Sequence, residues 1–296
     1  MENRQPSPGR QTDRQAGQPS ATALTAAAAR AAHLIVDDEP RIFTDPLAAS
    51  LLGDQADELI SYHTRHGTHP VLSGARVQVA CRSRYTQHAL ARAGASQYVI
   101  LGAGLDSFAY RGGLAGRVQV FEVDHPASQE AKRVALAAGG IPVPGNVTFV
   151  PADLAADSLS RCLASAGFDA SAPAVFGWLG VTMYLTADAV AETMTAVAGC
   201  APGSELIADY MLPENARDEA GALYGRLVAQ ASAERGEPWR SCFTPAEIAD
   251  LARRSGFGAA RSIGQRDAIP AHLWRRTDSL RPADLAVLFH GVVTAG

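Results

Sequence analysis

The chain has 296 residues with 26 basic and 30 acidic side chains, a net charge of −4 with neutral histidines. That length supports one large core or two modest ones. A mildly acidic chain has no overall field to hold a polyanion, which argues against nucleic acid as a partner.

Lys132 is the one lysine. The four cysteines, Cys81, Cys162, Cys200 and Cys242, are too widely spaced for a CxxC metal clip or a dense disulfide framework and read as buried thiols in a reducing compartment. The opening segment is polar, rich in Gln, Pro, Gly and Ser, and lacks the apolar core of a signal peptide, so residues 1–21 are expected to be a disordered tail. No run approaches the ~18–20 apolar residues of a membrane span. A soluble, cytoplasmic protein with no membrane partner is expected. No repeat or long linker follows, which predicts one domain over 22–296, divided into a helical part over 22–93 and an α/β part over 94–296. Nothing in the sequence specifies an oligomeric state.

In chain order, residues 22–36 are strong helix formers ended by Asp37-Asp38-Glu39-Pro40. Asp45-Pro46 predicts a short helix starting at Pro46 and closed by Gly53. An amphipathic helix over 76–93 follows, with Arg76, Arg82 and Arg84. The period then changes. Apolar runs at 98–101, 118–124, 147–150, 174–178 and 205–210 read as five strands, with helices over 127–138 and 186–198 between them. Alternating strands and helices predict an α/β fold with a parallel, doubly wound sheet. Ligands of such sheets lie across the carboxyl ends of the strands at the topological switch point.

Gly102-Ala103-Gly104 follows the first strand, where a nucleotide-like ligand needs the backbone to come close; an ordinary glycine turn reads the same way. Ser107 replaces the third glycine of a dinucleotide fingerprint, and Asp106 puts a negative charge near the expected helix start. A pyrophosphate would be repelled there and an ammonium attracted, which argues for a phosphate-free, cationic nucleoside over NAD. Asp124, twenty residues after Gly104 at the end of the second strand, suits both ribose hydroxyls; Glu122 on the same face reads as a solvated or ion-paired acid. Asp153 after the third strand repeats the geometry and can reach an adenine amine while Leu154 packs on the ring, with a helix N-cap as the alternative.

Arg82 and Arg84, at i and i+2, cannot share a helix face, so one is expected at a ligand and the other in a surface ion pair. His63, His66 and His69 repeat at three-residue spacing. Gly67 and Pro70 interrupt them and no acid or cysteine joins them, so they read as loop surface or substrate-pocket lining, with no metal expected. No GxSxG or HExxH motif is present.

The segments TALTAAAARAAHLI, RIFTDPLAASLL, RSRYTQHAL, YVILGAGLDSFAYR, VFEVDHPASQEAKR, VPADL and LGVTMYL resemble the actinobacterial branch of the leucine carboxyl methyltransferase-like family. These are class I S-adenosylmethionine-dependent enzymes. The resemblance implies a Rossmann-like domain with N-terminal lid helices, S-adenosyl-L-methionine as cofactor, and O-methylation, often of a carboxylate on a small molecule or peptide, plausible in secondary metabolism. It implies Arg82 for the methionine carboxylate, Gly102, Ala103, Gly104 and the loop through Asp106 for the methionine amine and ribose, Asp124 for the ribose, and Asp153-Leu154 for the adenine.

Where the family commonly has Glu-Gly-Val, this chain has Leu179-Gly180-Val181, and Gln87 stands where many members have an acid. Leu179 falls near the implied reactive end. It fits either a pocket adapted to an anionic or apolar substrate or a cofactor-binding descendant that no longer methylates. Tyr184 is the candidate for orienting the acceptor, with helix packing as its alternative.

Overall fold

A computed structural model describes residues 19–295. Most of the expected tail lies outside the described residues. Its last two residues are part of a helix start: the Ser20 side chain accepts from the Ala23 N–H at 3.1 Å and caps α1 (Ala21–Val36). Ala27 to Ala32 are buried, the small side chains letting α1 pack closely on its neighbours.

The second helix, α2 (Ala48–Leu51), begins two residues beyond the expected Pro46, because the Asp45 carboxylate accepts from Leu47 N–H and holds Pro46-Leu47 in a turn. Sequence patterning missed α3 (Ala56–Arg65), a short helix with acids in its first turn and His63 and Arg65 in its last, as the helix dipole favours. Next comes α4 (Pro70–Ala93), which starts six residues before the expected position. His69 caps it, Pro70 sits in its first turn, and Gly94 at φ +63° ends it.

The strands are β1 (Gln97–Leu101), β2 (Gln119–Asp124), β3 (Val147–Pro151), β4 (Ala174–Trp178), β5 (Glu205–Met211), β6 (Ala259–Ile263) and β7 (Ala286–Val292). They form a seven-stranded sheet in the order β3-β2-β1-β4-β5-β7-β6. The first five run parallel, while β7 is antiparallel to β5 and to β6. The helices α5 (Pro126–Ala138), α6 (Leu159–Ser165), α7 (Ala187–Ala198), α8 (Glu219–Glu234), α9 (Pro245–Ser255) and the short α10 (Gln265–Ala268) complete the described fold. The antiparallel pair β6–β7 and the helices α6, α8 and α9 were not read from the sequence. β6 carries exposed Ala259, Ala260 and Arg261 and so lacks the apolar run that marked the other strands.

β1 and β4 are buried along their whole length, so alternate residues feed cores on both faces. Val99, Leu101, Phe176 and Trp178 join Val190 and Met194 of α7 and Ile248 of α9 on one face. Tyr98, Ile100 and Val175 join Val77, Ala80 and Leu90 of α4 on the other. At about 1.5–3 kcal/mol for each large aliphatic or aromatic side chain taken fully out of water, these two layers supply the main driving force for the sheet.

No α-helix follows β1. The chain instead makes 3-10 turns at Phe108–Tyr110 and Ala115–Arg117, so Asp106 lies in a loop rather than near a helix start, and its carboxylate accepts from Phe108 N–H at 2.7 Å. The chain order reverses between β1 and β4, which leaves the switch point at the carboxyl ends of β2, β1 and β4.

Candidate functional site

A cavity of about 860 Å³ opens over that switch point. Its walls include Arg82 from α4, Gly102, Ala103, Gly104 and Asp106 from the loop after β1, and Asp124 at the end of β2. Asp153 and Leu154 follow β3, and Leu179 and Tyr184 follow β4 on the same cavity. All the residues singled out in the sequence for a cofactor or acceptor therefore meet in one place, although they span a hundred positions of chain.

The carboxylate of Asp124 accepts from Gly104 N–H at 2.6 Å and from its neighbour His125 N–H at 2.7 Å, which ties the end of β2 to the glycine loop. Gly102 has φ +67°, and a Cβ there would lie 2.4 Å from a Val181 methyl. The Val181 side chain of the β4 loop thus packs directly on the Gly102 backbone, and a side chain at 102 would force the two loops apart. Asp153 does not cap a helix; α6 begins at Leu159, and the Asp153 carboxylate accepts from Ala155 N–H at 2.9 Å. Leu154 packs at the edge of the core.

Glu122 is the ion-paired acid of its pair, but it is buried rather than solvated. Its Oε2 lies 2.8 Å from Nζ of Lys132, the single lysine, and accepts from the Tyr110 hydroxyl at 3.0 Å. Burial pushes the Glu122 carboxyl up, against the pull of Lys132. Tyr110 and Lys132 thus sit behind the cavity wall rather than on it.

The two arginines separate as expected, with one correction. Arg82 lines the cavity and pairs with Asp209 at 2.8 Å. Among the described residues Arg84 makes no ion pair; it donates to the Ile42 carbonyl at 2.9 Å, because the loop after α1 runs past that side of α4. Asp209 was not singled out from the sequence. It lies inside an apolar strand, and only the pairing of β5 beside β4 brings it to Arg82.

The spaced histidines do not line the cavity, contrary to the pocket reading. His63 is buried in α3, where its Nδ1 accepts from Arg76 at 3.2 Å, while His66 and His69 are exposed near the ends of α3 and α4. Burial and the Arg76 charge push the His63 imidazole down to about 4. Among the described residues no group of three or more His, Cys, Asp or Glu side chains could hold a metal, and no helix is long and apolar enough to cross a membrane. The cysteines are free thiols, but only Cys81 is buried; Cys162, Cys200 and Cys242 are half-buried.

The other wall of the cavity pairs the start of the described chain with a loop far along it. The start of α1, with Ser20, Thr22 and Ala23, faces the loop after α8, with Arg235, Glu237 and Arg240. The Thr22 hydroxyl donates to Glu237 Oε2 and lies 3.4 Å from the Tyr184 hydroxyl. Arg240 N–H donates to the Met183 carbonyl at 2.6 Å, which fixes this loop beside the Tyr184 turn. The α8 loop has no motif that would have marked it in the sequence.

Electrostatically the cavity is two-sided. Asp124 and Asp153 stand at the β2 and β3 ends, and Arg235, Glu237 and Arg240 stand in the loop after α8. A cationic group is favoured at the first side, while the second carries two guanidinium groups and one carboxylate, a net positive charge. The residues present fit a nucleoside carrying an amino-acid end. A glycine loop lets it approach, carboxylates face its hydroxyls, and a guanidinium fork suits its carboxylate.

The model of the leucine carboxyl methyltransferase family matches residues 23–198. YktD of Bacillus subtilis, a protein named for S-adenosyl-L-methionine-dependent methyl transfer, is 30% identical over 92% of this chain and 97% of its own. A Mycolicibacterium smegmatis protein of the same designation is 32% identical over 88% of this chain and 84% of its own. Among solved structures, a Thermobifida fusca protein described as a methyltransferase superposes with a TM-score of 0.56 at 20% identity, covering 94% of this chain and 96% of that one, a likeness of fold. From the matched span and the full-length relatives, the chain belongs to the leucine carboxyl methyltransferase family.

Proposed function

We propose that this S-adenosyl-L-methionine-dependent methyltransferase forms a methyl ester on a carboxylate of a small-molecule or peptide secondary metabolite. The observation that supports this reading is the two-sided cavity: acids at the β2 and β3 ends, and at the other side a net positive loop of Arg235, Glu237 and Arg240 fixed beside the Tyr184 turn. Bound cofactor supplies an activated methyl group on a sulfonium. In this reading Asp124 accepts from the ribose hydroxyls, Asp153 and Leu154 hold the adenine, and Arg82 forks onto the methionine carboxylate.

The helices α1 to α4 act as a lid over the α/β part, and the Thr22–Glu237 contact closes it. A carboxylate acceptor is already ionised at neutral pH, so the protein has no proton to remove; it aligns the oxygen and keeps water out. The only histidine on the cavity among the described residues is His125, and its Nδ1 accepts from Ala127 N–H as the cap of α5. That engagement also favours an acceptor that needs no base. Tyr184 orients the acceptor, and the apolar wall at Leu179 adds no second negative charge to repel it.

Methyl-labelled cofactor incubated with paired acids, amides and alcohols tests the reading. Label that appears on acids and is released as methanol by mild alkali is expected. Label stable to alkali, or transfer to the alcohols alone, would replace the carboxylate reading with one in which a base such as Glu237 must act.

A further inference from the structure

Asp209 is 1% exposed and does not reach the large cavity, yet it touches two elements that do. Its Oδ2 accepts from Arg82 Nη1 at 2.8 Å, its Oδ1 accepts from Gly180 N–H at 2.5 Å, and its backbone carbonyl accepts from the Thr182 hydroxyl at 2.5 Å. Gly180 has φ +76°, and a Cβ there would lie 2.7 Å from Arg82 Nη2 and 2.9 Å from Nη1. The guanidinium is therefore held between a glycine backbone and a buried carboxylate.

We propose that Asp209 is the positioning residue for the cofactor's methionine carboxylate: it turns the Arg82 fork toward the cavity and seats the Gly180 loop against it. The inference rests on the reading that Arg82 receives that carboxylate. An arginine offers five donors in a rigid plane. Engaging Nη1 from behind fixes the plane and leaves the remaining donors for a ligand. A long side chain without that anchor would have to give up its rotamer freedom at each binding event. The Asp209 backbone carbonyl also fixes the turn that carries Tyr184, so one buried residue bears on both the amino-acid end of the cofactor, through its carboxylate, and the acceptor side, through its main chain.

The test compares S-adenosylhomocysteine with 5′-methylthioadenosine, which keeps the nucleoside and lacks the amino-acid end, by calorimetry on the full chain. Asp209→Asn is expected to weaken S-adenosylhomocysteine about tenfold and methylthioadenosine less than twofold. Arg82→Ala should show the same selective loss, and Asp209→Asn added to Arg82→Ala should cost nothing further. Gly180→Ala, which displaces the guanidinium while leaving both charges in place, should repeat the pattern and covers the case in which the Asp209 variant does not fold.

Equal weakening of both ligands by Asp209→Asn would mean a merely structural carboxylate, and unchanged or tighter S-adenosylhomocysteine binding would remove the role altogether. Either outcome overturns the proposal, as does a Gly180→Ala variant without selective loss. An Arg82→Ala variant that binds both ligands in the wild-type ratio would instead overturn the reading of Arg82, and this inference with it.

Discussion

Two polar regions of this molecule look alike in composition and differ in closure. At the hinge between α1 and α4, Asp37 accepts from Arg76 at 2.8 and 3.0 Å and from His33 Nδ1 at 2.8 Å, while His33 Nε2 accepts from Ile42 N–H at 3.1 Å. Arg76 also donates to the Gly67 carbonyl at 2.7 Å and to His63. All four side chains are buried, and the protein itself supplies their partners. Burial alone would raise the Asp37 carboxyl, but the His33 and Arg76 bonds outweigh it and hold it below its ordinary value.

At the strand ends, by contrast, Asp106, Asp124 and Asp153 are only half-buried and border a cavity. A polar cluster buried within the fold holds it together, whereas one that borders a cavity can be reached by a ligand. Asp45 belongs to the first kind. It joins Arg30 at 2.8 Å and the Ser107 hydroxyl at 2.6 Å, clamping the start of the α2 turn to the β1 loop.

The contrast is broken most sharply by Arg76→Ala. It strands a buried carboxylate, so a loss of about 3–5 kcal/mol in unfolding free energy is expected from urea titration, with S-adenosylhomocysteine affinity of the folded fraction nearly unchanged. A stability change under 1 kcal/mol would show that the hinge is not saturated from within.

The same hinge carries a pH signature. His63 has a folded value near 4, below the usual ~6.5 of the unfolded chain, so its contribution is complete above pH 6.5 and is lost as pH falls toward 4. About 2–3 kcal/mol should disappear across that window, and His63→Asn, whose amide oxygen can still accept from Arg76, should flatten the slope relative to wild type. Parallel curves for the two proteins would assign the acid sensitivity elsewhere.

On the cavity side the expected effects reverse. Asp124→Ala should weaken S-adenosylhomocysteine by ~1–3 kcal/mol in calorimetry and change stability less than Arg76→Ala does. Unchanged affinity would move the ribose site away from the end of β2. The smallest effect is expected at the lid contact, where Thr22→Val removes the donor to Glu237. Losing that bond, worth about 0.5–1.5 kcal/mol, should speed S-adenosylhomocysteine release by roughly two- to tenfold in stopped-flow measurements. An unaltered rate would separate the contact from ligand exchange.

The core strands were legible because β1 to β5 are apolar runs bounded by glycines, prolines and acids, a pattern that burial on both faces imposes locally. The cavity residues were legible for a related reason: a parallel sheet sends every strand end to the same edge, so an acid or glycine at the end of a strand has a known destination. What patterning missed had no local signal. The helix α3 is short and polar outside one face, and β6 is half-exposed. The α8 loop and Asp209 acquire their meaning only from neighbours far along the chain.

By itself, then, the sequence determined the α/β alternation, the glycine loop, the acids placed at strand ends and the family, since each is written in contiguous residues. Tertiary structure alone decided which polar side chains face inward to one another and which face the cavity. His63 became a buried acceptor, Glu122 the partner of the single lysine, and Asp209 the anchor of Arg82. The reason is physical: a charge's environment is set by what lies within a few ångströms, and those neighbours arrive from positions 10 to 127 residues away.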